Sequence, residues 1–542
     1  MSNAKWQAYP RPQLKRESYK ILNGMWELDG KKIEVPFPPQ SKLSGYKGSI
    51  KERMVYKMKF VIPSDFTKPR ILLHFGAVDE EAVVYVNDVL VGKHEGGYLP
   101  FSFDISHVVH REKVNSLRVE VKDTLSRKYP YGKQCKKRGG MWYTPVSGIW
   151  QTVWLENVPA HYIEEIKITP SLTEVEICIK GDIKGFQVVV FAKDAMISEY
   201  VFTENVGTIK IEKPIHWTVE NPYLYDMTIT TEEDEVNSYF ALRTIEIKKI
   251  KGINRVCLNG TPIFMHGILD QGYFEDGIYL PEKETEFEQD ILRMKELGFN
   301  MLRKHIKIEP ERFYYACDKL GMLVFQDMIN NGGYSYLFDT VLPTLGFKKK
   351  DDCKGIEKEL ERKQIFEIHM EQTLHELYNH PCIIGYTIFN EGWGQFESDR
   401  MYDLAKSIDN TRLYDATSGW FAQKKSDFDS EHIYFRSVHL KIKERPMFLS
   451  ECGGFSYRVD GHIWNPKKTY GYGNCNTSEE LTDRIVEMYK KMVLPTIEDG
   501  LCGCVYTQLS DVEDEINGMY TYDREICKVN KNKMQILAKR IR

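Results

Sequence analysis

Apolar and polar residues alternate with a period of two over most of the first 250 positions. Runs such as KMKFVIP (57–63), RILLHFG (70–76), EAVVYVN (81–87), NSLRVEVKD (115–123) and IWQTVWLE (149–156) are separated by turn signals at Asn87-Asp88 and Gly96-Gly97. Short alternating strands with regular turns predict a sandwich or jelly roll over residues 1–160. The pattern continues through EVEICIKGD, FQVVVFAKD, TIKIEK, YDMTITTEE and YFALRTIEIKK. Five to seven strands in residues 161–250 predict an immunoglobulin-like β-sandwich.

After about residue 251 the period changes. Apolar runs now alternate with amphipathic stretches of helical period, such as KETEFEQDILRMKELG (283–298) and SEELTDRIVEMYKKMVLPTIEDG (478–500). A third long helix is expected over roughly 357–379, stopping at Asn379-His380-Pro381. Eight strand-like runs can be read: FMHGIL (264–269), NMLRKHI (300–306), MLVFQDM (322–328), IIGYTIFNE (383–391), LYDATSG (413–419), DSEHIYF (429–435), PMFLSECGG (446–454) and GCVYTQLSD (503–511). Eight β/α units over residues 251–542 predict a C-terminal (β/α)8 TIM barrel, and hence a multidomain protein. The stretches 330–356 and 455–477 are long for barrel loops and are expected to shape a pocket.

Barrel chemistry sits at the C-terminal ends of the strands. The second strand offers Arg303 and His305, the third Gln326 and Asp327, and the fourth Asn390 and Glu391. Trp420 follows the fifth, the sixth carries His432 and Tyr434, the seventh Glu451, and the eighth Tyr506, Gln508 and Asp511. An Asn-Glu pair alone is common, a strand-end Glu is often half of an ion pair (here with Arg303), and a lone His is often structural. What lifts the case is register: Glu391 and Glu451 both end apolar strands, four and seven, of a barrel counted independently. Two carboxylates across a polar cleft suit cleavage of a glycosidic bond. One gives a proton to the leaving oxygen, and the other is ionised at the anomeric carbon. Trp393 and Trp420 are read as possible stacking platforms for a pyranose.

Composition narrows the partners. The 542 residues carry a net charge of −4 and no basic field, so neither a nucleic-acid nor a membrane partner is expected. The 12% aromatic content fits sugar-binding surfaces, and more plainly large β cores. Eleven cysteines with no CxxC pair read as free thiols in a reducing cytoplasm, with no metal site and no cofactor. No apolar leader follows Met1, so no signal peptide is expected; Ser2-Asn3-Ala4 also fits a cloning remnant, which leaves the cysteines to carry the location. Formation of a homo-oligomer is left open.

At these residues the sequence resembles glycoside hydrolase family 2, the β-galactosidases, β-glucuronidases and their relatives. The resemblance rests on LNGMWELDG (22–30), VGKHEGGYLPFSFDI (91–105) and YTPVSGIWQTVWLE (143–156) for a sugar-binding-like jelly roll. HWTVENPYLYDMTI (216–229) carries it in the sandwich, and LNGTPIFMHGI, DILRMKELGFNMLRKH, HPCIIGYTIFNE and RPMFLSECGG carry it, in that order, in the catalytic barrel. It implies a retaining mechanism with Glu391 as acid/base, Glu451 as nucleophile and carboxyls about 5 Å apart. Asn390 would hold the sugar 2-hydroxyl and Arg303 would orient Glu451. His305, Asp327, Trp420, His432 and Tyr506 would contact or support the substrate. The first domain is expected to buttress the barrel or to reach a neighbouring subunit's cleft.

Departures bear on the sugar. Tyr386 stands where the family usually has tryptophan. β-Glucuronidases place Asn-x-Lys ahead of Gly-x-x-Thr-x-Asp-Arg, and the lysine grips the sugar carboxylate. Here Glu515-Ile516-Asn517 precedes Gly518-Met519-Tyr520-Thr521-Tyr522-Asp523-Arg524, so the lysine is missing and Glu515 adds a repulsive charge. The chain runs only a little past the barrel, without the C-terminal domains of large β-galactosidases. The expectation is therefore a retaining exo-β-glycosidase of β-galactosidase type acting on an oligosaccharide or glycoside. The alternatives are another terminal sugar (β-glucuronide, β-mannoside or α-arabinoside) or a non-catalytic carbohydrate-binding protein.

Overall fold

The computed structural model describes residues 5–348, 350–354, 357–434 and 438–541. Ser2-Asn3-Ala4, Phe435 at the end of the expected sixth barrel strand, and three positions of the expected long loop (349, 355 and 356) lie outside the described residues.

The N-terminal part packs a six-stranded on a four-stranded antiparallel sheet. Strand Asn115–Lys122 alternates buried and exposed or half-buried residues along its length, as a strand with one face on a core must. Leu28, Tyr56, Leu73, Phe75, Val84, Val119 and Leu155 meet between the sheets. Seven further strands form a three-stranded and a four-stranded sheet around a second core that includes Ile177, Val188, Ile209 and Ile229. This is the expected pair of β-sandwich layers.

The barrel strands are β1 (Met265–Asp270), β2 (Met301–Lys304), β3 (Leu323–Asp327), β4 (Ile383–Asn390), β5 (Leu413–Ser418), β6 (Asp429–Ile433), β7 (Met447–Gly453) and β8 (Leu501–Thr507). They form one parallel sheet ordered β5-β4-β3-β2-β1-β8-β7-β6. The seam between β5 and β6 is bridged by side chains, with Ser430 Oγ donating to Asp415 Oδ1 at 2.9 Å. Every residue of β4 is buried. A strand covered on both faces reads as a continuous apolar run, which is why IIGYTIF shows no alternation.

Helices α1 (Thr285–Glu296), α2 (Glu311–Leu320), α3 (Leu360–Glu376), α4 (Ser398–Ile408), α5 (Ser478–Met488) and α6 (Lys531–Ile541) pack outside the strands. Helix α2 stops where Gly321 takes φ 67°, a left-handed cap that costs glycine little.

The two sandwiches meet the barrel through different contacts. Arg243 of the second sandwich donates to the carbonyls of Pro381 (3.0 Å) and Ile383 (2.7 Å) at the start of β4. The first domain instead sends its 126–147 loop to the strand C-termini. There Tyr131 donates to the Gly332 carbonyl (2.8 Å), and the Thr144 N–H to Glu513 (2.9 Å). So the first domain reaches the cleft of its own chain.

Candidate active site

Arg303 organises the mouth of the barrel. It is fully buried, and its planar fork reaches three other strand ends at once. Nε donates to Asp327 Oδ1 (2.9 Å), Nη1 to Glu451 Oε1 (3.0 Å) and the Ser450 carbonyl (2.9 Å), and Nη2 to Asn390 Oδ1 (2.9 Å). Asp327 spends its second oxygen on His305 Nδ1 at 2.6 Å. That leaves Nε2 as the His305 nitrogen available to the cleft; burial lowers the pKa of this ring, against the pull of Asp327.

Glu451 and Glu391 face each other across His432. His432 Nδ1 lies 2.7 Å from Glu391 Oε1, and its Nε2 lies 3.0 Å from Ser418 Oγ and 3.6 Å from Glu451 Oε1. One oxygen of each glutamate and one ring nitrogen lie within 4.8 Å of one another. Carboxylates brought this close are the arrangement a double-displacement pair uses.

Burial alone would raise the Glu451 pKa. His432, Arg303 and His305 outweigh it, together with the Tyr434 hydroxyl that donates to Oε2, and hold the carboxyl at about 2. Glu451 is therefore an ionised, desolvated carboxylate at neutral pH.

Local backbone aims Glu391. It adopts φ 53°, and Gly392 and Gly394 follow at φ 71° and 66°, so the chain turns sharply off β4. A Cβ on Gly392 would come within 2.2 Å of the Phe421 ring, and one on Gly394 within 2.2 Å of the Asn331 carbonyl. The glycines of GWG are thus set by close approach and by handedness. Trp420 donates its indole N–H to the Glu391 carbonyl at 3.1 Å and fixes this turn from the far side.

The two glutamates open into a cavity of about 180 Å³, enough for one sugar ring. Its walls come from three places. The barrel gives Gln271, His305, Asn390, Trp420, Tyr434 and Thr507; the loops give Tyr336, Leu345, Tyr470, Tyr472 and Glu515; the first domain gives Lys133 and Met141. The 336–347 rim is apolar yet exposed, with Tyr336 at 62% and Leu345 at 70%.

Family models match this architecture piece by piece. Residues 28–152 match the galactose-binding-like domain of glycosyl hydrolase 2, residues 163–243 match glycosyl hydrolases family 2, and residues 248–445 match the family's TIM barrel domain. The chain belongs to glycoside hydrolase family 2.

Within the family, a β-galactosidase of Thermoanaerobacter pseudethanolicus is 26% identical over 380 residues, covering 66% of this chain and 47% of that protein. The chain spans about half the length of the curated relatives it matches. Among solved structures, a β-D-glucuronidase of Dictyoglomus thermophilum superposes with a TM-score of 0.76 at 19% identity, covering 98% of both chains. A β-glucuronidase of Ruminococcus gnavus in complex with D-glucuronic acid gives 0.74 at 17% identity, covering 98% of this chain and 99% of that one. These likenesses establish the fold.

Of the residues expected from sequence in this family 2 chain, the structure brings Glu391, Glu451, Asn390, His305 and Trp420 to the cavity wall, with Arg303, Asp327 and His432 directly bonded beneath them. Tyr506 is not among them. It is buried, its hydroxyl accepts from the Phe455 N–H (3.3 Å), and Thr507 faces the cavity instead. Trp393 is no platform either. It donates to Tyr131 Oη (3.2 Å) and stacks edgewise on Trp142 of the first domain, with ring centroids 5.0 Å apart. Lys133, Tyr336, Tyr470 and Tyr472 escaped the sequence reading.

Proposed function

We propose that this chain is a retaining exo-glycosidase that removes a β-linked terminal sugar, in the first place a neutral sugar of galactoside type. Glu391, protonated, gives its proton to the glycosidic oxygen as Glu451 attacks the anomeric carbon. The C–O bond to the aglycone breaks and a Glu451–sugar ester forms. Glu391, now ionised, takes a proton from water, which attacks the same carbon and releases Glu451. His432 holds the Glu391 oxygen through both steps, and Asn390 offers its amide to the sugar. The observation that carries this reading is the pair of carboxylate oxygens within 4.8 Å, one of them on a carboxyl held at about 2.

A terminal uronide is the second reading. The solved structures of similar fold and length favour it over a galactoside, since they include β-glucuronidases and β-galacturonidases, and Lys133 brings a cation to the cavity. All eleven cysteines are free thiols, which supports a cytoplasmic location. Among the described residues no helix is long and apolar enough to cross a membrane.

The test is hydrolysis of nitrophenyl β-galactoside, β-glucuronide, β-galacturonide, β-glucoside, β-mannoside and α-arabinoside, with Glu451→Gln alongside. Turnover of one substrate, lost in the variant, is expected. Silence across the panel, with sugar binding still measurable by calorimetry, would make this a carbohydrate-binding protein.

A further inference from the structure

One wall of the cavity is unfinished in its hydrogen bonding. Gln271, just past β1, and Thr507, at the end of β8, are 4% and 3% exposed. Both line the cavity, and Gln271 Oε1 and Thr507 Oγ1 are buried with no hydrogen-bond partner. Buried polar atoms are normally paired, so two orphans on one wall mark where a polar ligand completes the network.

Glu515 stands on the same wall, 3% exposed. It accepts from Tyr143 Oη of the first domain at 2.5 Å and from Asn517 Nδ2 at 2.9 Å. Each of its oxygens retains a lone pair. Lys133 reaches in from the first domain, and its ammonium has no ion-pair partner among the described residues.

This wall offers the donors Lys133 Nζ and Thr507 Oγ1 and the acceptors Gln271 Oε1 and Glu515. The two acceptors take a proton from the ligand. A sugar hydroxyl has one to give; a uronate carboxylate has none. The charged groups point the same way: the lining sets the carboxyls of Glu391, Glu451 and Glu515 against the ammonium of Lys133, so a ligand carboxylate meets more carboxyl than cation.

We propose that Lys133 and Glu515, with Gln271 and Thr507, form the recognition wall for the terminal sugar's distal hydroxyls and select a neutral hexopyranoside over a uronide. Lys133 donates to one hydroxyl, and Glu515 accepts from others. The first domain is then part of the specificity machinery, through Lys133 as a direct contact and Tyr143 as the residue that positions Glu515. This assignment rests on the glycosidase reading above.

The test compares kcat/KM for nitrophenyl β-galactoside, β-glucoside and β-glucuronide in the full chain, in Glu515→Gln and in Lys133→Met. The wild type is expected to prefer a neutral glycoside. Glu515→Gln should lower the neutral reaction roughly ten- to a hundredfold, the worth of a hydrogen bond to a charged group, and shift the neutral-to-uronide ratio toward the uronide. Lys133→Met should lower the neutral reaction roughly tenfold and leave the uronide no better. A wild type that turns over the uronide faster than either neutral sugar overturns the selection. So does a ratio unmoved in Glu515→Gln, while neutral turnover unchanged in Lys133→Met removes Lys133 from the wall. If no glycoside is turned over, the glycosidase reading falls and this one with it; turnover with an unmoved ratio sinks this one alone.

Discussion

Replacing Tyr434 by Phe removes one hydroxyl and leaves the ring. The hydroxyl donates to Glu451 Oε2, while Arg303 holds Oε1 at 3.0 Å. No buried charge loses its counter-charge, so the fold should survive. A hydrogen bond to a charged group is worth about 1.5–3 kcal/mol. At 1.36 kcal/mol per pH unit, losing it raises the carboxyl by about 1–2 units. Glu451 therefore moves from about 2 to roughly 3–4.

Two assays read this shift. Only ionised Glu451 attacks, so the acid limb of kcat/KM reports it. In the wild type the Glu451 limb lies below the range where activity is readily measured; in Tyr434→Phe a limb enters between pH 3 and 4. The second assay is urea unfolding as a function of pH. The folded pKa of Glu451 is depressed, so its contribution is present above the unfolded value of ~4.3 and is lost as pH falls through about 2. The variant should be less stable than wild type by about 1.5–3 kcal/mol at pH 7, with the gap closing below pH 4. The plateau of kcat/KM is less informative, because a more basic carboxylate is also a better nucleophile. An acid limb that stays below pH 3, together with equal stability at pH 7, would refute the claim that Tyr434 helps hold Glu451 ionised.

Glu391→Ala should slow hydrolysis of substrates with poor leaving groups by about 10²–10⁴-fold. Dinitrophenyl glycosides, which need no proton, should lose far less. Azide should restore turnover and give a glycosyl azide of retained configuration; an inverted product would reassign Glu391. Trp393→Ala removes a buried ring shared by barrel and first domain, and should destabilise the chain by about 3–5 kcal/mol in urea unfolding. A loss under about 1 kcal/mol would mean that the Trp393–Trp142 contact does not hold the two parts together.

The barrel was legible because parallel strands buried on both faces leave continuous apolar runs, and because Asn390, Glu391 and Glu451 interrupt those runs at one end. Parity was harder. Tyr506 and Thr507 are neighbours on β8, and successive residues of a strand point to opposite sides. The apolar run fixes where β8 lies but not which of the two faces the cavity. In the structure the Tyr506 ring fills the space beside Gly453, where a Cβ would sit 2.2 Å from it. Trp393 fails for a different reason. A tryptophan after a strand-end glutamate has the same local signature whether its ring meets a sugar or another tryptophan, and its partner Trp142 lies some 250 positions earlier in the chain.

Lys133 shows where pattern reading ends. It sits in Tyr129-Pro130-Tyr131-Gly132-Lys133, a stretch whose turn residues predict only a loop. Its position depends on Tyr131 bonding Gly332 and on Thr144 bonding Glu513, contacts that join parts of the chain 201 and 369 residues apart. No periodicity spans such distances. Yet Glu515 was visible from the sequence as a charge in the wrong place for a uronide. Tyr143, which donates to it, belongs to the same loop as Lys133. A barrel alone would carry the two glutamates and their arginine. It would lack Tyr143, which bonds Glu515, and the cation that Lys133 brings to the cavity. The pair of glutamates therefore follows from the strand ends, and the shape of the cavity follows from how the first domain closes over them.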